Sequence, residues 1–193
     1  MFSFTKRIID FSLSLFITIC LSPILLLLCI WIKLDSPGPI LFKQKRIGKD
    51  KQHFHILKFR TMKIDTPNDM PTHLLEDPDF YITKTGKFLR KTSLDELPQL
   101  INILKGEMSI IGPRPALWNQ YDLIAERDKY NANDILPGLT GLAQISGRDE
   151  LGIEVKARID GEYVEKMSPM LDFKVFFGTV FSVLKSDGVK EGK

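Results

Sequence analysis

The chain has 193 residues, a formal charge of +3 and two cysteines. That length suits one domain, and a body of about 150 residues outside an apolar leader is long enough to bury a core. Cys20 and Cys29 both lie in the leader, which excludes a disulfide framework and a cysteine zinc site, and the charge comes without a nucleic-acid-binding motif, so nucleic acid is not an expected partner.

The charge is uneven: residues 1–60 hold ten Lys or Arg against three Asp, leaving the remainder net negative. Basic residues beside a membrane anchor attract anionic headgroups at about 1 kcal/mol each. His53, His55 and His73 have no helical metal spacing and read as surface or packing residues.

Residues 11–32 run for twenty-two positions without a charge, too long for a signal-peptide core and lacking a cleavage site. As one helix the run spans about 33 Å against a hydrocarbon core of about 30 Å, so a single crossing is one reading. Pro23 supports another: it offers no N–H to Ile19, which predicts a kink, and Ser22 beside it can hydrogen-bond nearby carbonyls. Lys6 and Arg7 precede the run while Lys33, Lys43, Lys45 and Arg46 follow it, so the positive-inside bias favours neither orientation. A re-entrant helix bent at Ser22-Pro23 keeps both basic flanks on the cytoplasmic side.

Beyond the breakers at Asp35-Ser36-Pro37-Gly38-Pro39, residues 40–46 and 54–59 read as two strands of a hairpin turning through residues 48–51. Residues 61–79 read as a loop, either a lid or a passive connection. Helical patterns follow at residues 85–91, 97–104, 117–130 and 153–167. Residues 171–184 carry an apolar surface wider than one stripe, which suits either a membrane-interface helix or a core helix. The fold class expected is α+β: a membrane anchor at 1–34, an irregular body of short helices and a hairpin at 35–187, and a mobile tail at 188–193.

The segment Arg90-Lys91-Thr92-Ser93-Leu94-Asp95-Glu96-Leu97-Pro98-Gln99 sets two adjacent carboxylates after a basic pair. Ser93-x-x-Glu96 matches a capping box, which makes the pair structural. If Pro98 instead opens the helix, the pair sits in the connection ahead of it, where it can face a site. Arg114 lies in the stiff Gly112-Pro113-Arg114-Pro115 loop, and Arg148 closes a glycine-rich loop at residues 137–147 whose backbone can approach a ligand. With Lys58, Arg60 and Arg90 these cations suffice to face a diphosphate, although each taken singly reads as a surface charge. The phosphate-binding patterns of ATP and dinucleotide enzymes are absent.

Seven blocks carry a resemblance: Lys6-Arg7-x-x-Asp10, Ser22-Pro23, Ser36-Pro37-Gly38-Pro39, Lys58-Phe59-Arg60-Thr61-Met62, Ser93-Leu94-Asp95-Glu96-Leu97-Pro98-Gln99, Gly112-Pro113-Arg114-Pro115 and Pro137-Gly138-Leu139-Thr140-Gly141. From about residue 4 to 187 the chain resembles the small monotopic polyprenyl-phosphate phosphoglycosyl transferases, bacterial enzymes that initiate capsule, O-antigen and glycoprotein glycan assembly. The resemblance implies a re-entrant anchor involving Arg7, Ser22 and Pro23, seated on the cytosolic face of the bacterial cytoplasmic membrane. It implies Asp95 as a nucleophile on a UDP-sugar, UMP as the leaving group and undecaprenyl phosphate as the acceptor. Mg²⁺ would be held by Asp95 and Glu96, with Lys58, Arg60, Arg90, Arg114 and Arg148 binding phosphates. Whether Glu96 binds metal or orients the acceptor stays open, as do the sugar and the existence of a homo-oligomer. Many relatives have Trp at the position of Leu142 and Asn-Gly-Arg-Asn in place of Ser146-Gly147-Arg148-Asp149, which puts the contacts of that loop in doubt. The multi-span extension of larger relatives is missing, so a near-minimal catalytic form is expected. Two rival readings are a glycosyl transferase that releases UDP and a non-catalytic scaffold subunit.

Overall fold

The computed structural model describes residues 2–67, 77–147 and 151–185. The architecture is α+β. Helix α1 (Phe2–Asp35) leads into a hairpin of β1 (Leu41–Ile47) and β2 (His53–Phe59), paired antiparallel with Leu41 opposite Phe59 and Ile47 opposite His53. Both strands lie within a residue of their predicted positions. Of the expected loop at 61–79, residues 68–76 lie outside the described residues. Its ends meet in a bridge between Met62 and Ile82, around the short helix α2 (Pro78–Tyr81).

Then come α3 (Lys84–Lys91), a 3-10 turn (Leu94–Glu96), α4 (Gln99–Lys105), β3 (Ser109–Ile111), α5 (Tyr121–Asp128), β4 (Gly138–Thr140), α6 (Leu142–Ser146), α7 (Ile153–Glu165) and α8 (Pro169–Lys185). Strands β3 and β4 pair in parallel, an element the sequence analysis did not contain. The tail expected at 188–193 lies outside the described residues.

Helix α1 does not break at Pro23; helical structure continues through it. Proline leaves the Ile19 carbonyl without its usual N–H partner. The Ser22 hydroxyl donates to that same carbonyl at 2.8 Å, so the group is satisfied without interrupting the helix. The interior of α1 projects outward, with Phe16, Ile19, Leu26 and Leu27 all more than 60% exposed.

Both ends of α1 dock on the body. Near its start, Asp10 is buried and accepts hydrogen bonds from the Ser109 hydroxyl (2.7 Å) and the Ile110 N–H (3.3 Å). Arg7 donates to the carbonyls of Ile103 (2.6 Å) and Leu104 (3.1 Å) at the end of α4, where a cation complements unpaired helix carbonyls. Lys6 bonds Asp172 of α8 at 2.6 Å. Lys6 and Arg7, two of the basic residues read as facing headgroups, are thus turned inward. Toward the other end, Leu28 and Ile32 are buried against Phe59 and Leu89.

The main core gathers Phe54, Ile56, Leu100, Ile103, Met108, Ile110, Ile111, Tyr163 and Val175 from the hairpin, α4, β3, α7 and α8. Strand β2 is joined to α4 by the buried Asn102, whose Oδ1 accepts from the Leu57 N–H (3.0 Å) while its Nδ2 donates to the His55 carbonyl (2.8 Å). Asn102→Leu strands the buried Leu57 N–H at a cost of about 1–3 kcal/mol. The expected result is a fall in Tm of roughly 3–10 °C, measured by thermal unfolding of the detergent-solubilised chain.

Candidate active site

The chain reverses between α3 and α4 through Ser93, which adopts left-handed backbone angles (φ 55°, ψ 17°). For a residue with a Cβ this costs of order 1 kcal/mol and persists only where surrounding contacts enforce it. Ser93 makes no capping hydrogen bond, so the capping-box reading does not hold. Pro98 immediately precedes α4, and Asp95 and Glu96 fall in the 3-10 turn before it, close to the second register considered. The pair belongs to a connection, where neither carboxylate serves the helix.

Glu96 Oε1 accepts hydrogen bonds from Lys58 Nζ at 2.7 Å and from Arg114 Nη2 at 2.9 Å. Lys58 comes from β2 and Arg114 from the loop after β3, so one oxygen joins three separate segments. Asp95 beside it is buried, at 9% exposure. Arg90, at the end of α3, is placed by a hydrogen bond from Nε to the Thr61 hydroxyl (3.0 Å).

Burial raises the Asp95 pKa above the ordinary range; the Glu96 charge adds to this, while Lys58, Arg90 and Arg114 oppose it. Glu96 behaves oppositely. Burial disfavours its charged form, but the charges and hydrogen bonds of Arg114 and Lys58 outweigh that and hold it well below the usual carboxylate range. A general base working near neutrality needs a pKa close to the ambient pH, so Glu96 is suited to anchoring cations rather than moving protons.

Four of the predicted site residues therefore gather around Asp95: Glu96, Lys58, Arg90 and Arg114. Arg60 is placed elsewhere, its guanidinium donating to the carbonyls of Pro37 and Ser36, and it fastens the turn that ends α1. Arg148 lies outside the described residues. The expected glycine-rich loop is in fact β4 followed by α6. A Cβ on Gly138 would collide with the backbone of Gly112, and one on Gly112 with the Leu136 carbonyl. The Gly138 N–H donates to the Pro113 carbonyl and the Gly112 N–H to that of Thr140, both at 2.9 Å. The glycines thus let two backbones touch, and those donors serve the fold.

Two further arginines set the geometry of Arg114 and were missed in the sequence. Arg46 of β1 donates to the Pro115 carbonyl at 3.0 Å, and its pKa is lowered to about 9 by burial and by the neighbouring Arg114 charge, partly offset by Glu96. Arg127 of α5 is 3% exposed, pairs with the buried Asp160 of α7 through Nη2 (2.6 Å), and donates through Nη1 to the Arg114 carbonyl (2.9 Å). The signal available was weak: an arginine at a helix end and an aspartate far along the chain.

Among the described residues no three His, Cys, Asp or Glu side chains gather to hold a metal. The Asp95–Glu96 pair still fits a hard divalent cation of the kind that binds one or two carboxylates and completes its shell with substrate phosphates and water. The raised Asp95 pKa is the electrostatic counterpart of that fit, since a cation would offset the cost of ionising this buried acid.

Adjacent acids framed by cations, in a chain that opens on a long apolar helix, make up the candidate site. The chain belongs to the bacterial sugar transferase family, whose match covers residues 1–186. It is 40% identical to the uncharacterized sugar transferase EpsL of Bacillus subtilis (strain 168), over 96% of this chain and 90% of that protein. It is 41% identical to the UDP-glucose:undecaprenyl-phosphate glucose-1-phosphate transferase of Escherichia coli (strain K12), over 91% of this chain but only 39% of that protein. The exopolysaccharide production protein ExoY of Sinorhizobium fredii (strain NBRC 101917 / NGR234) is 36% identical over 95% of this chain and 87% of its own length.

The opposed shifts predict opposed effects on stability. A carboxyl whose folded pKa is raised weakens the fold as pH rises through that window, and one whose folded pKa is depressed strengthens it above its unfolded value. Asp95→Asn is expected to raise Tm at pH 7, with the gain vanishing as pH falls toward the ordinary carboxylate range. Glu96→Gln is expected to lower Tm at pH 7. Thermal unfolding of each variant against pH checks both signs.

Proposed function

We propose that this chain transfers a sugar 1-phosphate from a UDP-sugar to a polyprenyl phosphate such as undecaprenyl phosphate, releasing UMP through a phosphosugar ester on Asp95. The carrying observation is the buried Asp95 carboxylate in a 3-10 turn surrounded by Lys58, Arg90 and Arg114, with Arg46 behind Arg114. Four cations against two carboxylates leave an excess of positive charge suited to a diphosphate. The activity named for the Escherichia coli relative supports the same reading.

In the first step a carboxylate oxygen of Asp95 attacks the sugar-bearing phosphorus. The bond from that phosphorus to the bridging oxygen breaks, and UMP leaves with the oxygen. In the second step an oxygen of the acceptor phosphate attacks the same phosphorus. The bond to Asp95 breaks, its carboxylate is restored, and a polyprenyl diphosphosugar results. One diphosphate replaces another, so no nucleoside triphosphate is consumed. Two steps let the site handle one incoming anion at a time.

Glu96 holds Lys58 and Arg114 in place while the negative charge on phosphorus moves. Arg127 keeps the Arg114 backbone fixed, so the guanidinium need not be ordered at each turnover. Mg²⁺, held by Asp95 with Glu96 beside it, would neutralise charge on the phosphoryl oxygens.

The membrane arrangement follows from α1 and α8. Both ends of α1 meet the same body, through Lys6, Arg7 and Asp10 at one end and Leu28 and Ile32 at the other. A full crossing would separate those ends by about 30 Å of hydrocarbon, so the contacts favour a helix that dips into one leaflet or lies in it. The exposed Phe173, Phe177 and Phe181 of α8 suit the same interface. A body seated on the cytosolic face meets a soluble nucleotide sugar and a lipid phosphate together. The reading places the chain at the first membrane step of polysaccharide or glycoconjugate synthesis.

Asp95→Asn is expected to reduce UMP release by at least about 10³-fold while the protein stays folded and membrane-bound. Chromatography of the released nucleotide over a panel of UDP-sugars is the assay. UDP in place of UMP, or undiminished turnover by the variant, would overturn the assignment. Chelation of divalent ions is expected to suppress UMP release and added Mg²⁺ to restore it.

A further inference from the structure

A cleft of about 190 Å³ opens beside the acidic turn. It is lined by Ser93, Glu96 and Leu97, by β3 and β4, by Gln144 and Ile145 of α6, and on its remaining side by Phe176, Thr179, Val180 and Ser182 of α8. Its lining is mostly apolar, although one end touches the residues that flank Asp95.

The placement on α8 indicates the occupant. At about 100° per residue, the order around the helix is Val175, Thr179, Phe176, Val180, Phe173, Phe177, Phe181. Val175 is fully buried, Phe176 is 36% and Val180 41% exposed, and Phe173, Phe177 and Phe181 are each above 60%. Of the α8 residues that line the cleft, Phe176 and Val180 fall in the intermediate sector between the core and the aromatic face assigned to the membrane, while Thr179 and Ser182 flank the buried Val175. The cleft therefore has Phe176 and Val180, next to that outer face, in one wall and Ser93 and Glu96 of the acidic turn in another.

We infer that this cleft is the subsite for the lipid acceptor, holding the phosphate-proximal isoprene units of the polyprenyl chain so that its phosphate reaches Asp95. The inference rests on the proposed transfer reaction. A saturated or unsaturated tail entering from the lipid passes between Phe176 and Val180 on one side and Ile145 on the other. Its phosphate ends at Ser93 and Glu96, where Lys58 and Arg114 supply positive charge. The nucleotide sugar is polar throughout and gains nothing from such a lining, so the cleft separates the two substrates by chemistry.

The test uses the full chain in detergent micelles and separates the two half-reactions. With UDP-sugar alone, the single-turnover burst of UMP reports the first step; with undecaprenyl phosphate added, steady-state transfer reports the second. Val180→Trp, at a half-exposed position that tolerates bulk, fills the cleft. It is expected to leave the burst within twofold of wild type and to raise the KM for undecaprenyl phosphate at least tenfold. Phe181→Ser, on the outward sector, is expected to leave that KM unchanged. A prenyl phosphate bearing a diazirine on its first isoprene unit is expected to label the peptides containing Phe176, Val180 and Ile145. An intact burst with an unchanged acceptor KM in Val180→Trp would overturn the subsite and leave the reaction standing. Equal loss of both half-reactions, or labelling confined to α1, would also overturn it. Absence of any UMP burst from the wild type would sink the reaction and the subsite together.

Discussion

A single carboxylate oxygen, Oε1 of Glu96, holds the site together. It accepts from Lys58 on the hairpin and from Arg114 on the loop after β3, while its own backbone lies in the turn that presents Asp95. Half-buried ion pairs of this kind are costly to desolvate and gain their worth from geometry and from additional hydrogen bonds. Here the geometry is secured twice over. Arg46 grips the carbonyl of Pro115 and Arg127 that of Arg114, so the loop carrying the cation is pinned from β1 and from α5. The adjacent Asp95 bears the cost of this arrangement: it is buried beside the Glu96 charge and ionises less readily than a free carboxylate.

Local patterns made much of this legible from residues alone. The hairpin declared itself through the breakers before residue 40 and at 48–51, and α1 through an uncharged run of twenty-two residues that reads as a membrane helix. Asp95, Glu96, Lys58, Arg90 and Arg114 were all recognisable as candidates, the acidic pair mainly because its surrounding motif resembles a known family. What stayed hidden depends on distant pairing. Strands β3 and β4 have three residues each and meet only in the folded chain, so neither shows a periodicity that could be read. Arg46, Arg127 and Asp160 act on backbone carbonyls contributed by other segments, which no local pattern reveals. Ser93-x-x-Glu96 misled because capping spacing is also compatible with a left-handed reversal, and the two are separated only by which tertiary partners claim Glu96. Arg60 looked like a phosphate ligand because it shares a motif with Lys58. Yet Lys58 lies within β2 while Arg60 lies just past its end, where the Arg60 guanidinium turns to the carbonyls of Ser36 and Pro37.

The apolar helix and the acidic turn are one mechanical unit. Asp10 bonds β3 directly, Arg7 closes the end of α4, and Lys6 reaches α8, so the start of α1 touches the elements that flank the cleft. The far end packs on Phe59, the residue next to Lys58. The placement of α1 and the position of the turn that carries Asp95 are consequently set by the same contacts. Ser22 contributes by keeping the helix intact across Pro23, where an unsatisfied carbonyl in lipid would otherwise cost several kcal/mol.

Gly112 and Gly138 meet with bare backbone on either side. One strand of that seam runs on into Arg114, which bonds Glu96; the other runs on through Thr140 into α6, which walls the apolar cleft. With no side chains at the junction to repack, neither wall has slack against the other. The proposed anion site and the proposed lipid cleft would thus hang from one shared backbone seam.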